Sequence, residues 1–259
     1  MWQRKPALKF VVLILGGVSV AVLSARTAQA QTSLGRTPVL VELYTSEGCS
    51  TCPPADDLLA DMAEHQPIPG VLVVPLAEHV DYWNQLGWTD RFSSSVYSQR
   101  QRVYAKNMKA TEVYTPQMVI GGTRESPGSD RPSVVRAITA VAKTTTGALT
   151  VTRSGASEGT VQVSVTLSGA GAGEAPGLYA AVTDDEDTTM VGGGENGGHS
   201  LHHVAAVRSM QYFGAISDGQ QKLLAIKLPD DAAKRKLHLV VFAQLTGQGR
   251  IVAAASSPI

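Results

Sequence analysis

The chain lacks a long hydrophobic run, a clustered basic face and all but two cysteines. Its N-terminal apolar run, residues 10–23, is shorter than the roughly 20 residues that a membrane-spanning helix needs. Its 22 basic and 22 acidic residues balance, and no basic cluster typical of a nucleic-acid-binding protein is present. These absences predict no nucleic-acid partner and no stable membrane anchor. The two cysteines, Cys49 and Cys52, are the most informative residues that remain.

The first thirty residues predict export. Three basic residues precede the apolar run, and Ala-Gln-Ala at residues 28–30 matches the small-x-small pattern of signal peptidase sites. We therefore predict a signal peptide at residues 1–30 and a periplasmic or secreted protein; an uncleaved anchor is the alternative. No cysteine lies near the cleavage site, which argues against a lipid anchor. In an oxidising compartment, a disulfide between Cys49 and Cys52 can persist.

Residues 36–145 carry alternating strand and helix patterns. Nearly continuous apolar runs are typical of strands buried on both faces, and apolar residues at i, i+3, i+4 and i+7 are typical of an amphipathic helix. The predicted strands are residues 39–44, 71–76 and 116–120. One predicted helix begins at Pro53, and two others cover residues 94–108 and 132–143. This order predicts an α/β domain with a right-handed crossover between its first two strands.

The composition changes near residue 145. Glycine, serine, threonine, alanine and valine dominate the rest of the chain, with short alternating stretches such as Val161, Val163, Val165 and Leu167. Six to eight such strands predict an all-β, sandwich-like domain at residues 147–259. The mature chain is therefore expected to have two domains.

The cysteine pair lies between the first strand and the first helix. A thiol at a helix N-terminus faces the positive end of the helix dipole, and it ionises more readily there. Ser50 and Thr51 can donate hydrogen bonds to a thiolate, whereas Glu47 places a negative charge nearby. The pair is interpreted as an exchangeable redox site; a stable structural disulfide is the alternative.

Glu42 is an acid within an otherwise apolar strand. Burying an ionised carboxylate is costly, so Glu42 is expected to be protonated, hydrogen-bonded through water or paired. The alternative is that Glu42 faces solvent on an edge strand.

Several stretches resemble known proteins. Residues 41–52, VELYTSEGCSTC, are similar to the active-site strand and redox loop of thioredoxins and protein disulfide isomerases, and YTPQ at residues 114–117 is similar to their cis-proline loop. The longer stretches are LYTSEGCSTCPPAD at residues 43–56, HVDYW and LGW within residues 79–88, and GENGGHSL at residues 194–201. They resemble a family of secreted bacterial proteins of unknown function that joins a thioredoxin-like domain to a C-terminal β domain.

The resemblance implies an α/β thioredoxin-like fold at residues 36–145 and assigns roles to the site residues. Cys49 would be the more exposed, attacking thiol, and Cys52 would resolve the mixed disulfide. Glu42 would lie beneath Cys52 and act as its base. Pro116 would be cis, holding the backbone of Thr115 beside Cys49 for strand addition by a substrate peptide.

Two further segments could contribute to the site. Residues 76–115 concentrate the aromatic residues Tyr82, Trp83, Trp88, Phe92, Tyr97 and Tyr104, which either cap the redox site or bury an inserted helix. Three histidines, His199, His202 and His203, follow the glycine-rich run at residues 192–198. That loop could bind a metal, dock near Cys49 or do neither. His79 and Asp81 end the second strand, where sites gather in open α/β sheets.

The function predicted from these residues is thiol–disulfide oxidoreduction on protein thiols or disulfides, with a redox-active disulfide and no other cofactor. The alternatives are a metal-handling protein that holds copper or zinc with the cysteines and nearby histidines, and a non-catalytic binding protein. Two thiolates supply half of a tetrahedral zinc site, so His79, His199, His202 and His203 are the additional candidate ligands.

Overall fold

A computed structural model describes residues 1–2, 35–171 and 173–259. Apart from residues 1–2, the predicted signal peptide at residues 1–30 lies outside this part of the chain. None of the helices within the described residues is long and apolar enough to cross a membrane.

Within the described ranges the chain forms eleven strands and three α-helices. The strands are β1 (Thr37–Thr45), β2 (Val71–His79), β3 (Gln117–Ile120), β4 (Arg124–Pro127), β5 (Ala148–Ser157), β6 (Thr160–Ser168), β7 (Gly177–Met190), β8 (Ser200–Ala215), β9 (Gln221–Lys227), β10 (Leu237–Gln244) and β11 (Ile251–Pro258). The helices are α1 (Pro53–His65), α2 (Ser95–Met108) and α3 (Arg131–Ala142). Short 3-10 turns lie at Asn84–Leu86, Ala232–Lys234 and Thr246–Gln248.

The strands form one large mixed sheet and one small sheet. The large sheet has eight strands in the order β11-β10-β7-β8-β2-β1-β3-β4, and the small sheet has the order β5-β6-β9. Strand β1 pairs in parallel with β2 and antiparallel with β3. Strand β8 joins the two halves of the large sheet, since it pairs antiparallel with β7 and meets β2 in parallel at Ala77 and Ala206.

Both faces of the large sheet are covered. One face packs against α1 and α3 near β1, and against the small sheet near β7, β10 and β11. The other face packs against α2, whose Tyr97 lies in a core with Leu40 and Phe242. Alternate residues of β1 therefore enter different cores: Val41 faces α1, whereas Leu40 faces away from it.

The predicted fold class is wrong. The protein is mostly β, and it is not an α/β thioredoxin-like domain followed by an all-β sandwich. The element order up to α3 is the predicted one, but strands β7, β8, β10 and β11 of the C-terminal half continue the sheet of β1 to β4. Strand periodicity shows which face of a strand is buried, not which strand completes the hydrogen bonds at the edge of β2. The division into residues 36–145 and 147–259 stays a prediction.

Candidate functional site

Cys49 and Cys52 form a disulfide at the start of α1. Strand β1 ends at Thr45, and Cys52 is the residue that precedes the first helical turn. The carbonyl of Cys52 accepts hydrogen bonds from the amides of Ala55, at 2.8 Å, and Asp56, at 3.2 Å. Both cysteines have 0% exposure, so Cys49 is not the more exposed of the two.

The loop at residues 192–199 covers the disulfide from the C-terminal half of the chain. The Glu195 carboxylate accepts hydrogen bonds from the amide and the hydroxyl of Ser50, at 3.0 and 2.6 Å. The buried amide group of Asn196 donates to the carbonyls of Glu47 and Cys49, at 2.9 and 3.0 Å. The docking of this loop near Cys49, one of its predicted roles, is confirmed.

Two tryptophans complete the cover. Trp88 donates from its indole to the Glu47 carboxylate at 2.7 Å. Trp83 packs closely on Gly48, since a Cβ atom added to Gly48 would lie 3.2 Å from the Cβ atom of Trp83. The loops also meet each other, since a Cβ on Gly193 would lie 2.6 Å from the carbonyl oxygen of Gly87. The aromatic segment therefore caps the site as well as contributing to the core, where Tyr97 and Tyr104 are buried.

The peptide bond between Thr115 and Pro116 is cis, as predicted. Gly128 donates from its amide to the Pro116 carbonyl at 2.9 Å, and a Cβ on Gly128 would lie 3.0 Å from the Cβ of Pro116 and 2.9 Å from that of Ala55. The Thr115 hydroxyl accepts from the indole of Trp83 at 2.8 Å. Pro116 and Thr115 thus lie beside the first turn of α1, and their role toward a substrate stays a prediction.

Glu42 is fully buried in a central strand, so its solvent-facing alternative is wrong. Its carboxylate accepts from the Arg100 guanidinium at 2.7 Å and from the Tyr104 hydroxyl at 2.8 Å. Gln244 of β10 bonds to the same tyrosine at 2.7 Å. The expected pairing of this buried acid is confirmed, but its place is not beneath Cys52. Side chains alternate along β1, so Glu42 points away from the face on which α1 packs.

A different set of buried titratable side chains lies beside the cysteine loop. Asp90 accepts at one oxygen from the Nδ1 atom of His79, at 2.7 Å, and from the amide of Glu47, at 2.9 Å. His203 of β8 places Nε2 3.2 Å from the Glu47 carboxylate, and its ring lies 4.9 Å from that of His79. All four residues are at most 2% exposed. The Nε2 of His79 and both ring nitrogens of His203 are buried without a hydrogen-bond partner in the described residues.

The charges of this cluster stabilise one another. Burial alone would lower the pKa of His79, but the Asp90 carboxylate outweighs burial and raises it. Burial alone would raise the pKa of Asp90, but His79 outweighs it and lowers that pKa. For Glu47, burial again acts upward, and the polar side chains beside it, His203 first, bring the pKa below its usual value. A charged His79 between carboxylates is therefore compatible with full burial.

Asp56 connects this cluster to α1. Its carboxylate accepts from the Thr45 hydroxyl at 3.2 Å and is 8% exposed. Burial raises its pKa to about 6, while the nearby His79 and His203 act in the opposite direction. Asp56 is thus a buried acid that titrates near neutrality, four residues after Cys52.

Of the predicted histidine ligands, the structure brings together His79 and His203 but not His199 and His202. His79 and His203 lie in the buried cluster, whereas His199 and His202 are exposed. No group of three or more histidine, cysteine, aspartate or glutamate side chains within residues 1–2, 35–171 and 173–259 is arranged to hold a metal ion. Metal handling by these residues stays a prediction.

Sequence reasoning missed Asp56, Asp90, Glu195, Asn196 and Arg100. Of these, Asp56 could have been found from the sequence, because it follows Cys52 by four residues at the start of an amphipathic helix and that spacing places the two side chains on one face. Each of the other four has a partner more than forty residues away, and no local spacing indicates such contacts.

The contacts at the site join residues from both halves of the chain, and a known protein family matches across both halves. The pattern of DUF1223, a protein family of unknown function, matches residues 40–244. No curated protein matches the chain. The crystal structure of protein AGR_C_4864 from Agrobacterium tumefaciens is similar, with 27% identity, a TM-score of 0.65, and coverage of 84% of this chain and 92% of that one.

Two other solved structures show only weak likeness. A DUF3823 family protein from Bacteroides ovatus has 12% identity and a TM-score of 0.27, covering 43% of this chain and 52% of that one. A β-glucosidase from Kluyveromyces marxianus in complex with glucose has 15% identity and a TM-score of 0.22, covering 44% and 14%. The family match spans the cysteine loop and the loop that covers it, and the protein belongs to the DUF1223 family of proteins of unknown function.

Proposed function

We propose that this protein is an exported thiol–disulfide oxidoreductase whose Cys49–Cys52 disulfide exchanges with the thiols of a protein partner. The observation that carries this proposal is the set of buried titratable side chains around the disulfide. Burying charged groups costs free energy, and a purely structural disulfide needs none of them. Perturbed titratable groups that gather at one place are typical of sites where protons move.

The exchange begins from the disulfide. A thiolate of the partner attacks the Sγ atom of Cys49, the bond between Cys49 and Cys52 breaks, and the electron pair leaves on Cys52. The partner's second thiolate then attacks its own sulfur in the mixed disulfide and releases Cys49. The partner dithiol is oxidised to a disulfide and the cysteine pair is reduced. Run in reverse, the same steps reduce a partner disulfide.

Cys52 is assigned as the leaving sulfur because it begins α1. A thiolate at that place faces the positive end of the helix dipole. Pro53 and Pro54 supply no amide hydrogens, so the first two helical residues cannot donate to that thiolate. The charge on Cys52 is therefore best removed by protonation.

Access to the disulfide requires the cover to move. Both sulfurs are enclosed, and the bonds of Glu195 to Ser50 lie at the exposed rim of the cover. A partner that displaces Glu195 would open a path to Cys49, with the backbone of Thr115 on the neighbouring side for strand addition. The glycines of residues 192–198 allow the loop to change conformation at low cost.

Export is part of the proposal. It is supported by the basic and apolar pattern of residues 1–30 and by the disulfide, which persists in oxidising compartments.

A redox titration followed by trapping tests the function. In glutathione or dithiothreitol buffers, the folded protein should interconvert between dithiol and disulfide with a potential above about −300 mV. In cells, Cys52→Ser should retain partners as mixed disulfides on Cys49, and the control Cys49→Ser should retain far fewer. A pair that resists reduction while the protein is folded, or equal trapping by both variants, would contradict the proposal.

A further inference from the structure

The side chains of Cys52 and Asp56 are neighbours on one face of α1. Cys52 already has a helical backbone, with φ −79° and ψ −38°, and the amide of Asp56 donates to the Cys52 carbonyl. Residues four apart on a helix place their Cβ atoms about 6 Å from each other. Both side chains are buried, so the carboxyl group and the cysteine sulfur share the same enclosed side of the first helical turn.

Asp56 is also enclosed by polar groups from every element packed on it. Thr45 at the end of β1 donates to its carboxylate, and His79 at the end of β2, Asp90 in the following loop and His203 on β8 contribute the surrounding charges. Glu47 in turn contacts His203, at 3.2 Å. Asp56 thus belongs both to the helical turn that follows Cys52 and to the buried cluster of titratable side chains.

From this juxtaposition we propose that Asp56 exchanges a proton with Cys52 during disulfide reduction and formation, an inference that rests on the proposed function. As the bond between Cys49 and Cys52 breaks, the Asp56 carboxylic acid gives its proton to the departing Cys52 thiolate and becomes a carboxylate. As the disulfide forms again, the carboxylate takes that proton from the Cys52 thiol before its sulfur attacks Cys49. This is the role that the sequence resemblance assigned to Glu42.

The position of the acid suits both directions of transfer. Its pKa of about 6 keeps the acid and the carboxylate both populated near neutral pH. The contacts of Asp90 with His79, at 2.7 Å, and of Glu47 with His203, at 3.2 Å, hold polar groups in place next to it, so the environment is organised before the proton moves.

The test is the pH dependence of disulfide reduction by dithiothreitol, followed by alkylation of the released thiols and mass measurement. The rate is measured where it is proportional to dithiothreitol concentration and is corrected for the ionised fraction of that reagent. In the wild type, the corrected rate should fall about tenfold between pH 5 and pH 7, with a midpoint near pH 6, as Asp56 loses its proton. In Asp56→Asn, the corrected rate should be slow and independent of pH.

Two further variants make the result specific. Asp57→Asn removes the same charge from the adjacent, exposed residue and should retain the wild-type profile. Thr45→Val removes a hydrogen bond that lowers the pKa of Asp56, so its midpoint should move to higher pH, which a merely structural role would not produce. A flat wild-type profile, or an unchanged midpoint in Asp56→Asn, would overturn the inference.

This assay needs no protein partner. A wild-type profile with the expected midpoint, together with no mixed disulfides in cells, would support the role of Asp56 while contradicting the proposed function. A flat profile together with successful trapping would do the reverse.

Discussion

Replacing Asp56 with asparagine should change the free energy of unfolding by an amount that depends on pH. Burial raises the pKa of Asp56 from an ordinary 3.8 to about 6, so the folded state holds a proton that the unfolded state releases. This difference between the pKa in the folded state and the pKa in the unfolded state corresponds to about 3 kcal/mol of free energy of unfolding. The stabilising contribution of the protonated acid is complete below about pH 4 and is lost as pH rises through about 6.

Asparagine does not titrate, so its variant does not incur this loss. The difference in free energy of unfolding, Asp56→Asn minus wild type, should therefore increase by about 2.5 kcal/mol between pH 4 and pH 7.5 and then level off. A constant cost of the substitution displaces the whole curve but not its rise. The titrations of Asp90 and Glu47 are shared by both proteins and cancel to first order.

Urea denaturation of the oxidised proteins, followed by circular dichroism at each pH, measures this difference. The exposed neighbour supplies the control, since Asp57→Asn should show a difference that varies little with pH. A difference for Asp56→Asn that is the same at pH 4 and pH 7.5 would refute the reasoning that the carboxyl group is buried and protonated near neutrality.

Three other predictions concern the disulfide, its cover and the buried ion pair. Reducing the bond between Cys49 and Cys52 should lower the free energy of unfolding by about 2 kcal/mol, because the disulfide closes only a short loop, with a sequence separation of 3. Urea denaturation with and without reductant measures this loss, and a loss above about 4 kcal/mol would contradict the prediction. Asn196→Ala removes two hydrogen bonds that hold the cover and should speed reduction of the disulfide by dithiothreitol at least about tenfold. The control Asn107→Ala, which removes hydrogen bonds far from the disulfide, should not change that rate. Equal rates for the two variants would contradict the role of the cover. Arg100→Met leaves the buried Glu42 carboxylate without its guanidinium partner, so the free energy of unfolding measured in urea should fall by about 3–5 kcal/mol. A fall below about 1 kcal/mol would contradict the importance of this ion pair.

Much of the local structure could be predicted from sequence. The continuous apolar run of β1 and the helical repeat of apolar residues after Pro53 indicated a strand and a helix that the structure contains. The burial of Glu42 followed from its apolar neighbours, and the cis conformation of Pro116 followed from a resemblance in its sequence context. These features depend on residues close together in the chain, so patterns of a few residues were sufficient.

The assembly of the sheet could not be predicted in this way. Strand β8 completes the edge of β2 across more than a hundred residues, and any strand with a compatible buried face could have taken that place. The composition change near residue 145 indicated a domain boundary, yet the large sheet continues across it. Backbone hydrogen bonds between strands carry no side-chain signature, which is why the predicted fold class was wrong.

For the site, the sequence by itself determined that Cys49 and Cys52 stand at the N-terminal end of a helix. Only the tertiary structure decided which groups surround them. It placed Glu42 against Arg100, on one face of β1. It also brought His203 and Asn196, about 150 residues further along the chain, into contact with the cysteine loop. The reason is that charge pairing and burial act through space, whereas sequence spacing reports only neighbours along a helix or strand.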